Sequence, residues 1–116
     1  MSESESGPAQ PLGKIMLSEA GETVTVTVAG TIDVRLVLAL RKVLAEAIRL
    51  APTTLRVHLV ISLDGAELVA RTVREAQARF RAGRRRFLVV TPDPRVVRLL
   101  AGAKISAQLQ PNLSAG

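Results

Sequence analysis

Residues Thr23 to Val28 alternate threonine and valine without a break, the period-two pattern of a strand with one face buried. Lys14 to Leu17 is a shorter apolar stretch before it, read as an edge strand, and Gly21-Glu22 between them is a turn. After Gly30 the period changes. Leu36, Leu40, Val43, Leu44, Ala47 and Ile48 fall on one helical face, while Arg35, Arg41, Lys42, Glu46 and Arg49 fall off it. Asp33 stands ahead of this stripe as an N-cap, its carboxylate placed to accept a free backbone N–H of the first turn. Pro52 is expected to stop the helix, which then runs for about four turns.

Leu55 to Leu63 is almost continuously apolar, which predicts a central strand covered on both faces and ended by Asp64-Gly65. A second helix follows, with Leu68, Val69, Val73, Ala76 and Phe80 inward and Gly83 as a left-handed terminator. Phe87 to Val90 makes a further core strand. Asp93-Pro94 supplies an N-cap and a proline at the first helical position, opening a short helix over Val96, Val97, Leu99 and Leu100 that Gly102 ends. Ile105 to Leu109 reads as a final edge strand. Residues 1–12 read as a disordered leader and 111–116 as a frayed tail, leaving one domain over 13–110. Helical crossovers between the later strands imply parallel pairing and a mixed sheet.

Composition narrows the chemistry. The 116 residues are 47% hydrophobic but only 2% aromatic, so valine, leucine, isoleucine and alanine must build the core. There is no cysteine, which excludes disulfides, thiolate catalysis and Cys-based zinc sites. The chain begins with no apolar signal-peptide region and holds no apolar run long enough to span a bilayer, so a cytoplasmic location is expected. One histidine, no glycine-rich phosphate loop and no paired carboxylates point away from an enzyme, and no cofactor is expected. His58, mid-strand with no second ligand type near it, reads as a core or edge histidine rather than a metal ligand. The net charge of +6 is uneven: residues 71–104 hold ten basic side chains against Glu75 and Asp93. Arg71, Arg74, Arg81, Arg84, Arg85 and Arg86 are candidates for a basic patch, with a solvated helix face as the plain alternative. An acidic protein partner ranks ahead of nucleic acid, because stacking on single strands uses exposed aromatics and neither phenylalanine reads as exposed.

The segments Thr23–Asp33, Leu55–Leu59, Ala82–Pro92 and Val96–Leu100 resemble, in order and spacing, the STAS domain of anti-sigma factor antagonists. The likeness covers roughly residues 14 to 109. It implies an α/β fold, a mixed four- to five-stranded sheet packed by three or four helices, and a non-catalytic role in protein–protein regulation. The family's regulatory mark is an Asp-Ser-Ser-Gly type turn at the start of the second helix, whose serine a partner kinase phosphorylates. Here the equivalent stretch is Asp64-Gly65-Ala66-Glu67, with no hydroxyl, which implies no phosphorylation switch at the usual site. Asp64 and Glu67 then read as capping and dipole compensation, worth about 0.5–2 kcal/mol, or as a built-in mimic of the phosphorylated state. Ser62 is a candidate displaced phosphosite, against the plainer reading of a strand-end serine bonded to backbone. By the same resemblance Asp33 lies close to this turn, and Asp33, Asp64, Gly65, Ala66 and Glu67 form the expected partner surface. The implied partner is an anti-sigma factor or kinase-like protein. STAS paralogues, a homo-oligomer, or a larger transport or stress-sensing assembly form the second arrangement.

Overall fold

The computed structural model describes residues 13–81 and 85–110. The expected leader and tail, Gly83 and Arg84 lie outside the described residues. Strands β1 (Lys14–Ala20) and β2 (Thr23–Ala29) form an antiparallel hairpin closed by Gly21 at φ 63°. β1 extends past the expected Leu17 because Ser18 and Glu19 stay in register with Thr25 and Val24, and an edge strand tolerates polar residues. The chain continues through α1 (Val34–Arg49), β3 (Thr54–Val60), α2 (Leu63–Phe80), β4 (Arg86–Thr91), α3 (Pro94–Gly102) and β5 (Ala107–Leu109). The five strands lie in sequence order, and β2 to β5 are parallel.

This topology decides where the core sits. Each parallel strand is laid beside the last in the same direction, and right-handed crossovers then put every helix on one side of the sheet. Val24, Val26 and Val28 of β2 and Leu55, Val57 and Leu59 of β3 point into that side, against Leu40 and Leu44 of α1, Val69, Val73 and Phe80 of α2, and Leu100 of α3. Burying each such side chain contributes about 1.5–3 kcal/mol. The expectation that β3 is covered on both faces is therefore corrected. Arg56 and His58 alternate with its buried residues and face away from the helices, and the strand stops at Val60.

The helix ends also depart from expectation. α1 closes at Arg49, three residues before Pro52, with Ala51 in the left-handed region at φ 53° and its N–H donating to Ile48 O at 3.0 Å. α3 includes Gly102 as its last residue. Its left-handed terminator is Lys104 at φ 67°, and the Ile105 N–H reaches back to Leu100 O at 2.9 Å. Paired with the Lys104 N–H to Ala101 O at 2.9 Å, this is a Schellman motif, and it drives the side chain of Ile105 into the core ahead of β5.

Candidate functional site

The parallel pairing of β2 with β3 brings the ends of both strands to one edge of the sheet, where the Gly30 N–H donates to Val60 O at 3.3 Å. The turns that leave this edge, Gly30–Asp33 and Ile61–Ser62, therefore meet. Between them lies a shallow cleft of about 400 Å³ lined by Gly30, Thr31, Ile32, Ser62, Asp64 and Gly65. Ile32 is the buried plug of the corner. A Cβ on Gly65 would stand 2.8 Å from Ile32 Cγ1, so the absence of a side chain at Gly65 lets the first turn of α2 seat against the β2–α1 turn.

Both helices that start here are capped by side chains. Asp33 Oδ1 accepts the Leu36 N–H at 2.9 Å, as its position ahead of the apolar stripe predicted. α2 does not begin after Asp64-Gly65. Its N-cap is Ser62, whose Oγ accepts the Gly65 N–H at 3.1 Å, and Asp64 and Gly65 belong to the first turn. The start of the second helix thus carries an exposed hydroxyl. The candidate phosphosite Ser62 is thus a helix cap and not a strand-end residue; the apolar run over Ile61 and Leu63 hides the helix start, and the serine three residues ahead of Gly65 is the signal that marks it.

Asp33, Asp64 and Glu67 are exposed at the starts of α1 and α2, and Asp64 lines the cleft. Gly65 and Ala66, also expected in the partner surface, are buried against the core, Gly65 showing only at the cleft wall. Leu68, expected inward, is 46% exposed, and Val34 and Leu38 on α1 are 68% and 53% exposed. The starts of α1 and α2 therefore carry carboxylates, and the same helices leave apolar side chains in water. Thr72 is buried at a groove between α1 and α2 that the Arg41–Glu75 ion pair spans at 3.3 Å.

Among the described residues, the candidate arginines do not form one patch. Arg71 and Arg74 lie on the exposed side of α2, with Arg71 Nε 3.9 Å from Glu75 Oε2. Arg81 caps the far end of that helix, roughly 10 Å beyond Arg74 and 15 Å beyond Arg71 at about 1.5 Å per residue. Arg85 stands 5.4 Å over the Phe80 ring. Arg86 opens β4 on the face turned away from the helices. His58 is neither in the core nor at a sheet edge. It sits half-buried on the open side of the central strand, where loss of water and then the nearby Arg56 charge hold its pKa below the ordinary 6.5.

The architecture is that of the anti-sigma factor antagonists, the STAS fold. An anti-sigma factor antagonist from Mycobacterium paratuberculosis superposes with a TM-score of 0.62 at 20% identity, over 90% of this chain and 90% of that one. SpoIIAA in its unphosphorylated form aligns with a TM-score of 0.56 at 25% identity, over 88% and 92% of the two chains. The Bacillus cell fate determinant SpoIIAA in its phosphorylated form gives 0.53 at 23% identity, over 88% and 96%. No protein-family model and no curated protein sequence matches the chain.

Proposed function

We propose that this chain is a protein-binding regulatory domain of the anti-sigma factor antagonist type, acting in the cytoplasm and docking its partner on the corner of Asp33, Ser62, Asp64 and Glu67. The observation that carries the reading is the exposed Ser62 hydroxyl at the N-cap of α2, in a cleft that Asp64 also lines, between two helices that leave Val34, Leu38 and Leu68 exposed. That SpoIIAA exists in phosphorylated and unphosphorylated forms supports taking Ser62, the candidate displaced phosphosite, as the modified residue, Asp64 to Glu67 having no hydroxyl. Transfer of the γ-phosphoryl group of ATP to Ser62 Oγ forms the phosphoester and releases ADP. The new group adds about −1.5 to −2 charges and meets the free N–H groups of the first helical turn, so it suits the helix while changing what the corner repels.

The test is retention of a binding partner from host lysate by the tagged full chain, with mass spectrometry of what is held. An anti-sigma factor or kinase-like protein should be retained, and ATP should add phosphate to the wild type but not to Ser62→Ala. Asp33→Asn, which keeps the cap and removes the charge, combined with Glu67→Lys, should release the partner without lowering the melting temperature by more than a few degrees. Undiminished retention by that folded variant removes the corner as the site. Recovery of a transport ATPase or of paralogues instead points to a subunit of a larger assembly.

A further inference from the structure

The face of the sheet turned away from the helices carries no described element. It is set by register: Met16, Thr27 and His58 lie side by side across β1 to β3, and Thr25, Arg56 and Leu88 across β2 to β4. Val90 is on this face and is only 6% exposed, yet it has no part in the core cluster on the other side. Two features separate the face from ordinary solvated sheet. Met16 and Val60 are 57% and 41% exposed on it, with Leu88 half-covered between Arg56 and the sheet edge. Its fixed charges are all positive: Lys14, Arg56 and Arg86 point outward, and no described position of the face is an aspartate or glutamate. Arg56 is part-buried and donates from Nη2 to Gln110 Oε1 at 2.7 Å, so its partner is a neutral amide and its charge has no described counter-ion.

We infer that this face is a second docking surface, separate from the Ser62 corner, and that its occupant is an acidic amphipathic helix of a partner protein. The apolar side chains match one hydrophobic stripe of such a helix, and the three cations match carboxylates on either side of that stripe. Charge decides among occupants. A second copy would set Lys14, Arg56 and Arg86 against the same cations, which opposes face-to-face pairing. Single-stranded nucleic acid would need rings for base stacking, and Phe80 and Phe87 pack on each other, 6.2 Å between centroids, on the helix side.

The probe is a labelled peptide of leucine, alanine and glutamate, about five helical turns long with its leucines on one face. It is titrated into the full chain while methyl NMR follows Met16, Val60, Leu88, Leu38 and Leu68. Shifts confined to Met16, Val60 and Leu88 are expected. Thr25→Glu, which places a carboxylate beside Arg56 in the register, should weaken binding at least about tenfold, and so should Arg86→Glu. Arg74→Glu on α2 should leave binding within about twofold. Shifts at Leu38 and Leu68 instead, or equal loss in Arg74→Glu, would overturn the proposal. So would tighter binding of oligouridylate at the same methyls, or a dimer that excludes the peptide. A change in the three methyls on Glu3→Gln with Glu5→Gln would also overturn it, by making the chain's own N-terminal segment the occupant.

Discussion

Ala51 and Lys104 occupy backbone conformations that glycine adopts without strain, at φ 53° and 67°. Each ends a helix, and each accepts strain because the residue after it, Pro52 or Ile105, must turn inward and is buried there. Glycine at either position relieves the strain but gives the unfolded chain more freedom. The balance at Lys104→Gly and Ala51→Gly should be a gain of about 0.5–1 kcal/mol each, read as a higher urea midpoint at unchanged slope. Gly65 is the reverse case. In Gly65→Ala the new methyl meets Ile32 Cγ1 at 2.8 Å, and overpacking of about 1–3 kcal/mol outweighs the helix propensity gained. The cost should shrink by more than half in an Ile32→Ala background, which has lost the opposing atom. Full additivity of the two changes in denaturant unfolding would show that the two turns are not in contact as described.

The element whose start matters most is α2. Ser62→Ala removes the acceptor of the Gly65 N–H and should cost about 1 kcal/mol in chemical denaturation. Ser62→Asp keeps an acceptor and adds charge favourable to the helix N-terminus, so it should match the wild type within about 0.5 kcal/mol. The pair separates the capping role of Ser62 from any signalling role. α1 and α3 were legible from the sequence down to the capping residue, because Asp33 and Asp93 each stand directly before an amphipathic stripe. Asp93 Oδ1 indeed accepts the Arg95 N–H at 2.9 Å, with Pro94 at the first helical position. The start of α2 was not legible. From Leu59 to Leu63 the chain passes from strand to link to helix with Ser62 as the one polar residue, and no period can be read over so short a span. Within β3 the alternation of Arg56 and His58 with Leu55, Val57 and Leu59 did carry the answer, and it outweighs the overall apolarity of the run. The meeting of Gly30–Ile32 with Ser62–Gly65 lay beyond any local pattern, because it depends on the parallel pairing of strands about thirty residues apart.

At the scale of the molecule, helices on one side and an open sheet on the other make stability depend on pH through groups set outside the core. His58 titrates on the open face with its pKa below the ordinary 6.5. Unfolding restores the higher value, so below pH 6.5 the unfolded chain takes up a proton that the folded chain does not. Stability from this source is complete above pH 6.5, falls as pH drops toward the folded pKa, and levels off beneath it. Asp93 behaves likewise at the acid end. Its hydrogen bonds from Arg95, side chain first and backbone second, hold its pKa below 3.8, so its contribution is present above 3.8 and is lost as pH falls through the lower folded value. Urea midpoints measured from pH 8 to 3 should therefore decline in two stages. His58→Gln should flatten the first and leave the second, and Asp93→Asn should do the opposite while keeping the cap. A first stage that survives in His58→Gln would mean that another group titrates on folding, since the chain has no second histidine.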